Sequence, residues 1–365
     1  MKKRNYFILG GMLVLLLLFG AATVYAGGAQ EGQEVVKVAF IGPLTGPNAA
    51  QGAGARNSFL LAIDQLNESG ELPFEVEVMV LDDESKPGTG ASVAQMAVSD
   101  PNVVAASGHW NSPVAEATIP IFKSAGIPFI IWGAISPTLT SEENYPYVTR
   151  VCPTQAQENI PLAEFVMDEL DRKKWAIISD TSTYGKSNTA AWQENAEKFG
   201  GEIVSLDEIQ VGTTDFRPIL SKVKNRGVDG VYFGGVVMEG ALVRRQMVEL
   251  GMEDTLMVGI SGIVDDKFVE TAGTRAAEGV VAVKPGRDIS QMPGGSDFVK
   301  KYETAGYSEP FGAYGPYAYD AANIIGRAIG LATRGLKPVV EMIAGSRSRS
   351  GAGASTISVP GSRGS

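Results

Sequence analysis

Apolar segments with strand character alternate with helix-period segments along most of this 365-residue chain. The first strand-like run covers 35–41, and a helical segment follows at about 52–67. Further strand-like runs occupy 74–80, 103–106, 128–131, 175–179, 203–209, 230–233, 256–259 and 279–283. One helical face that is expected to be buried consists of apolar residues three or four positions apart, namely Ile160, Ala163, Val166 and Leu170. Such alternation predicts an α/β fold with parallel, doubly wound sheets covered by helices on both faces.

The strand-like runs fall into two series, which predict two lobes. Extended segments at 147–152 and 279–284 leave one series and enter the other, so they are the predicted crossovers and the predicted hinge. The first lobe is expected to comprise 35–149 plus 284–344, and the second lobe 150–283. Ligands of open α/β sheets bind beyond the carboxyl ends of the strands. The crevice between the lobes is therefore the predicted ligand site.

Both ends of the chain differ in composition from the α/β part. A basic start precedes a long apolar stretch and small residues that end at Ala26. This pattern predicts a cleavable signal peptide over 1–26 and export to the periplasm. Residues 27–34 are expected to form a flexible leader. The segment 345–365 is rich in Ser, Gly and Arg, which predicts a low-complexity, disordered tail.

Composition excludes several classes of function. The chain has 41 acidic and 31 basic residues, a formal net charge of −10, and no basic run in its α/β part, so nucleic acid is not an expected partner. One cysteine, Cys152, and one histidine, His109, cannot form an internal disulfide or a multi-histidine metal site. Cys152 is expected to be a small buried residue, and His109 a hydrogen-bonding loop residue. No catalytic residue, metal or cofactor is predicted.

Short motifs occur in a fixed order, each just after a predicted strand. They are Gly42-Pro43-Leu44-Thr45-Gly46, Ser107-Gly108-His109-Trp110-Asn111-Ser112, Gly133-Ala134-Ile135-Ser136-Pro137 and Tyr184-Gly185. Through these motifs and their order along roughly 36–334, the chain resembles the leucine/isoleucine/valine-binding protein family. The resemblance implies a type I periplasmic binding protein fold and a monomer without enzymatic activity. It also implies delivery of a small ligand to the inner-membrane permease and ATPase of an ABC importer.

The loops after the third and fourth strands contain the first candidate ligand-binding residues. Pro113 predicts a helix N-terminus with Ser112 as its N-cap, and the free N–H groups there attract anions. In the family that this chain resembles, the hydroxyl at this position holds the ligand carboxylate. The resemblance also implies that the Ala134 carbonyl contacts the ligand. Ile135 stands where the family has a threonine, and Ser136 is expected to substitute for it.

Departures from the family pattern bear on the identity of the ligand. Ser261 falls where the family has the acidic residue that pairs with the ligand ammonium. Because a buried cation without a counter-charge is costly, either another carboxylate, Glu239 or Asp265, reaches in, or the ligand is not an ordinary α-amino acid. Val236 replaces a tyrosine and Gln51 a tryptophan of the family. Both changes are expected to reshape the pocket.

Aromatic side chains are expected to enclose a flat or aliphatic ligand group. The aromatic candidates are Trp110, Trp132, Tyr184 and Tyr314. The complete set of predicted ligand-binding residues is Gln51, Trp110, Asn111, Ser112, Ala134, Ile135, Ser136, Tyr184, Val236, Glu239, Ser261 and Tyr314.

The predicted function is that of an extracytoplasmic solute-binding protein of an ABC importer. The expected ligand is a branched-chain or other hydrophobic amino acid, or a related carboxylate or amide. An alternative is a ligand sensor that presents the same cleft to a receptor kinase or chemoreceptor. A Rossmann-type enzyme is less favoured, because the loop at 42–54 is much longer than a G-x-G-x-x-G turn.

Overall fold

Strands in the computed structural model, which describes residues 36–335, form two parallel sheets. The strands of the first sheet are β1 (Val36–Gly42), β2 (Val76–Asp82), β3 (Val103–Ser107), β4 (Phe129–Ile131) and β5 (Val148–Arg150). Those of the second sheet are β6 (Lys174–Asp180), β7 (Glu202–Ile209), β8 (Gly230–Gly234), β9 (Leu256–Gly259) and β10 (Val281–Ala282). The predicted signal peptide, leader and tail lie outside the described residues.

Helices connect these strands and cover the sheets. They are α1 (Ala49–Ser69), α2 (Pro87–Ser99), α3 (Ser112–Ala125), α4 (Gln155–Glu164), α5 (Thr183–Lys198), α6 (Arg217–Lys224), α7 (Val237–Glu249), α8 (Asp266–Ala272), α9 (Thr274–Ala277), α10 (Gly295–Ala305) and α11 (Gly315–Thr333). Among the helices of 36–335, none is both long enough and apolar enough to cross a bilayer.

The two sheets share one strand order. The first is β2-β1-β3-β4-β5, and the second, read from its other edge, is β7-β6-β8-β9-β10. Each sheet therefore places its second strand at the edge and changes direction beside its first strand. Ligands bind at such a switch point, outside the carboxyl ends of the strands. The predicted doubly wound, parallel-sheet fold is confirmed.

Aromatic packing joins the first sheet to its helices. Phe40 of β1 is fully buried and lies between Phe59 of α1 and Trp132, with ring centroids 5.4 and 5.7 Å away. Helix α11 packs along α1 on this same sheet, although it follows the second sheet in sequence. The chain thus returns to the first sheet after β10. The lobe boundaries and the hinge at 147–152 and 279–284 stay predictions.

The predicted buried face of α4 is partly wrong. Ala163 and Val166 are fully buried, whereas Ile160 and Leu170 are 40% and 39% exposed. A π-helical turn at Phe165–Glu169 follows α4 and shifts the register of the residues after it. The N-terminal half of α4 instead buries polar side chains, namely Gln155, Glu158 and Asn159. These three residues share one helical face, which is directed inward.

Candidate ligand-binding site

Loops at the carboxyl ends of the two sheets contact each other. Gln51 of α1 donates a hydrogen bond from Nε2 to Asp265 Oδ2 at 2.6 Å, and its Nε2 is 3.4 Å from the Val264 carbonyl oxygen. The hydroxyl of Thr183, at the start of α5, donates to the Glu116 carboxylate of α3. Both contacts join an element of the first sheet to an element of the second. The structure therefore shows the two lobes closed on each other.

Ser112 connects the loops after β3 and β4. The predicted N-cap assignment is wrong by one residue: α3 begins at Ser112, and Asn111 is its N-cap in extended conformation, without a side-chain cap bond. The Ser112 hydroxyl is fully buried and accepts a hydrogen bond from the Ser136 N–H at 3.2 Å. The free backbone N–H groups of the first turn of α3 therefore lie next to the 134–136 loop.

Arg150 holds the loop after β4 in place. Its Nη1 donates to the Ala134 carbonyl at 2.9 Å, its Nη2 donates to the Ser136 carbonyl, and Nε bonds the Thr140 hydroxyl at 3.1 Å. Ala134, Ser136 and the intervening Ile135 are buried. The guanidinium thus brings a fixed positive charge close to the corner where Ser112 meets this loop.

Cys152 lies two residues further on, beneath the same loop. Its Sγ is 3.8 Å from the Ala134 carbonyl oxygen. Burial raises the pKa of the Cys152 thiol to about 12. The thiol is therefore protonated at neutral pH and is a packing group, as the sequence predicts.

Aromatic rings form a wall on the side of the first sheet. Tyr314, the N-cap of α11, meets the rings of Trp110 and Trp132 edge to face, each at a centroid distance of 6.3 Å. Trp132 is fully buried, stacks on Phe40, and donates its indole N–H to the Ile41 carbonyl at 3.2 Å. Trp110 is 6% exposed, and its indole N–H has no partner among the described residues. Trp132 is therefore a core residue, whereas Trp110 presents an unused donor.

Tyr184 of α5 lies against the turn that contains Ser261. Gln155 donates from Nε2 to the Tyr184 carbonyl at 2.8 Å and so fixes the first turn of α5 against α4. The Tyr184 hydroxyl approaches Gly262 so closely that a Cβ at that position would be 2.2 Å from it. Only glycine allows this approach. The hydroxyl itself is buried without a partner among residues 36–335.

Glu158 is a residue of the candidate site that the sequence predictions did not include. Its side chain is buried, and Oε2 accepts hydrogen bonds from the Ser261 N–H at 3.2 Å and from the Ser261 hydroxyl at 2.6 Å. Burial raises the pKa of Glu158 to about 7, although both bonds from Ser261 lower it. A sequence signal was available, because Gln155, Glu158 and Asn159 are polar residues at the spacing of one helical face.

The remaining predicted residues have other partners. Val236 ends the loop after β8 and packs against the core clusters of both sheets. Glu239 Oε1 accepts a hydrogen bond from the Gly212 N–H, in the loop after β7, at 3.0 Å. Asp265 caps α8 by accepting from the Lys267 N–H at 2.8 Å, and its other oxygen bonds Gln51. The carboxylate that the structure brings to Ser261 thus comes from α4.

Comparison with known proteins identifies the family and the fold that this chain shares with them. A family model described as periplasmic binding protein matches residues 35–345. A Leu/Ile/Val-binding protein homolog from Brucella suis biovar 1 is 31% identical over 309 residues, covering 84% of this chain and 81% of that protein.

Solved structures show the same architecture. A leucine-binding protein from Thermotoga maritima superimposes with a TM-score of 0.74 at 25% identity, covering 85% of this chain and 86% of that one. A solute-binding protein of an ABC transporter from R. palustris, solved with 4-hydroxybenzoate, also gives a TM-score of 0.74, at 22% identity, with coverage of 85% and 84%.

Proposed function

The chain belongs to the periplasmic binding protein family, and on that premise we propose that it is the extracytoplasmic solute-binding component of an ABC importer. It captures a small ligand between its lobes in the periplasm and delivers it to an inner-membrane permease and ATPase. The proposed ligand is a branched-chain or other hydrophobic amino acid, or a related carboxylate or amide. The likeness to a Leu/Ile/Val-binding protein homolog supports this class.

Unpartnered buried polar atoms in the cleft carry the proposal. Asn111 Oδ1 and Trp110 Nε1 come from the first lobe, and Tyr184 Oη and Glu158 Oε1 from the second. An unmade bond of a buried polar atom costs about 1–3 kcal/mol. Five other buried side-chain atoms of the described residues also lack a partner, but these four lie in the loops and first helical turns that follow strands, where ligands of such sheets bind. Both donors and acceptors are present in this set. A small polar ligand held between the lobes would satisfy them.

Ligand binding is coupled to closure of the two lobes. The bond from Gln51 to Asp265 joins the lobes directly, and a ligand adds further contacts from both sides. A ligand that interacts better with the closed form makes that form dominant. The predicted crossovers at 147–152 and 279–284 are the proposed hinge. The permease then distinguishes the loaded, closed protein from the open one.

Titration of the purified, exported protein tests the proposed function. L-leucine, L-isoleucine, L-valine, aliphatic and aromatic carboxylates and amides are the test ligands, and mannitol is the control. We expect at least one test ligand to bind in calorimetry and to raise the melting temperature. At a concentration of 100 Kd a ligand adds about 2.7 kcal/mol to the stability. If every test ligand behaves like mannitol, the proposed function is wrong.

A Ser112→Ala variant tests the carboxylate end of the site. Loss of the hydroxyl removes a hydrogen bond to Ser136 and any bond to a ligand carboxylate, so we expect about tenfold weaker binding of a carboxylate ligand. Ser92→Ala is the matched control, because Ser92 is an exposed helical serine whose hydroxyl bonds the Gly88 carbonyl. Equal affinity of the two variants in calorimetry would remove Ser112 from the site.

A further inference from the structure

The Glu158 carboxylate has one oxygen bonded and one without a partner. Glu158 lies in the first turn of α4 and is 2% exposed. Its Oε2 accepts two hydrogen bonds from Ser261, in the loop after β9. Its Oε1 is buried and has no hydrogen-bond partner within residues 36–335. An ionised carboxylate accepts hydrogen bonds at both oxygens, so Oε1 is an acceptor available to a ligand.

Five ionisable side chains close to this carboxylate are neutral at pH 7. Its negative charge contributes to a raised pKa of each of them, and they come from the segment after β5, from α5, from β8 and from α11. They are Cys152, Tyr184, Tyr232, Tyr314 and Tyr317. The nearby Arg150 directs its guanidinium to the 134–136 loop. Among the described residues, none forms a salt bridge with Glu158.

A buried carboxylate without a cation is unfavourable in its charged form. Burial accordingly raises the pKa of Glu158 to about 7. A cation placed beside it favours the charged form and offsets the loss of hydration. Within residues 36–335, Ser261 supplies hydrogen bonds to Oε2, and no Lys, Arg or His side chain forms an ion pair with the carboxylate. A cationic ligand would supply the positive charge.

Tyr184 provides a second acceptor on the same side of the cleft. Its hydroxyl is buried and unpartnered, and it approaches Gly262, the neighbour of Ser261. A phenolic oxygen accepts a hydrogen bond as well as donating one. An ammonium group has three N–H donors and no acceptor. Its donors suit Glu158 Oε1 and the Tyr184 hydroxyl together.

We propose that Glu158 binds the cationic nitrogen of the ligand, so that the ligand class is a small apolar solute with an ammonium group, such as an aliphatic α-amino acid. This inference rests on the proposed solute-binding function. Ser261 orients the carboxylate through Oε2, and Oε1 accepts from the ligand. Ser112 follows β3 of the first sheet, and Arg150, at the end of β5 of that sheet, directs its guanidinium to the adjacent loop. Both groups suit the ligand carboxylate.

Two ligands that differ only in the ammonium group provide the first test. L-leucine and 4-methylpentanoate share the branched aliphatic chain and the carboxylate. We expect L-leucine to bind the wild-type protein at least about 100-fold more tightly than 4-methylpentanoate, because an unpaired buried charge costs several kcal/mol. Isothermal titration calorimetry at pH 7.5 measures both affinities.

A Glu158→Gln variant provides the second test. Glutamine keeps the shape and can still accept from Ser261, but it has no charge. We expect L-leucine to bind at least about 100-fold more weakly than to wild type, and 4-methylpentanoate to bind as well or better. Circular dichroism and the melting temperature of the unliganded variant check that it is folded. Glu164→Gln, at the exposed end of the same helix, is the matched control and should match wild type.

The dependence of affinity on pH provides a third readout. A cation binds the ionised form of Glu158, so affinity is full above the pKa of the free protein and falls as the pH drops below it. With that pKa at about 7, binding of L-leucine should weaken about tenfold per pH unit toward pH 5. Glu158→Gln should be nearly independent of pH in this range. His109, the only histidine, is present in both proteins, so it cannot account for the difference.

The outcomes separate this proposal from the proposed function. If wild type binds 4-methylpentanoate or benzoate as tightly as any amino acid, or if Glu158→Gln retains wild-type affinity for L-leucine, the role of Glu158 is wrong and the solute-binding function stands. If no amino acid, carboxylate or amide binds wild type, both are wrong. Selective binding of amino acids that is lost in Glu158→Gln supports both.

Discussion

A His109→Ala variant is expected to lose about 2–4 kcal/mol of unfolding free energy, through unsatisfied buried groups and a cavity, and to bind ligand more weakly. The ring is fully buried, with Nδ1 2.7 Å from Asp83 Oδ2 and Nε2 2.9 Å from Thr118 Oγ1. It therefore joins the loop after β2, the loop after β3 and helix α3. Trp110 follows in the same loop and Ser112 begins α3, so their positions depend on this ring.

The control for His109→Ala is Lys86→Ala, which removes a surface ion pair near Asp83. Lys86 and Glu84 form an ion pair at 2.7 Å with side chains that are 68% and 41% exposed. Because exposed pairs contribute little, Lys86→Ala should unfold at the same urea concentration as wild type. Urea titrations followed by tryptophan fluorescence measure both variants. A His109→Ala protein as stable as Lys86→Ala would show that the buried ring does not hold these elements together.

Arg244→Met is expected to destabilise the second lobe by about 2–4 kcal/mol, because one buried and three partly buried backbone carbonyl groups lose their donor. The Arg244 side chain is 4% exposed. It donates only to backbone carbonyl groups. Nε donates to that of Ala276 at 2.7 Å, and Nη1 to that of Thr255 at 3.2 Å. Nη2 donates to the carbonyls of Glu253 at 3.3 Å and Glu278 at 3.2 Å. Methionine fills much of the same volume but replaces none of these bonds.

The neighbouring arginine supplies the control for Arg244→Met. Arg245 is 3.8 Å from Glu249 with both side chains exposed, so Arg245→Met should leave the unfolding midpoint unchanged. Glu278, one of the groups bonded by Arg244, lies just before β10 and the predicted crossover. Arg244→Met should therefore also increase amide exchange across 279–284. Equal midpoints for the two variants would contradict the structural role of Arg244.

The fold could be predicted from the sequence because most of its strands are short apolar runs between polar or glycine-rich segments; β5, within the segment predicted as a crossover at 147–152, is an exception. The run at 256–259 coincides with β9. In the run at 74–80, Glu75 and Glu77 alternate with apolar residues and form one polar face, which agrees with the edge position of β2. The candidate loops followed from the same pattern, since the carboxyl ends of parallel strands meet at one edge. Their roles in binding remain predictions.

Glu158 was missed because hydrophobic periodicity finds the face of a helix that enters an apolar core. The inward face of α4 begins with polar residues, and the π-helical turn after it displaces Leu170 from the apolar stripe. The absence of an acidic residue at Ser261 was visible in the sequence. The contact of Ser261 with a carboxylate 103 residues earlier in the chain depends on tertiary packing, which no local pattern reports.

The isolation of Cys152 bears on how this protein can be engineered. It is the only cysteine of the chain, it is buried, and its thiol pKa of about 12 keeps it protonated. Maleimide dyes react with thiolates at accessible positions. A cysteine introduced on the exposed surface of each lobe would therefore carry the dye without competition from the native thiol. A donor and acceptor pair placed in this way would turn lobe closure into an optical signal and make the molecule a fluorescent sensor for its own solute.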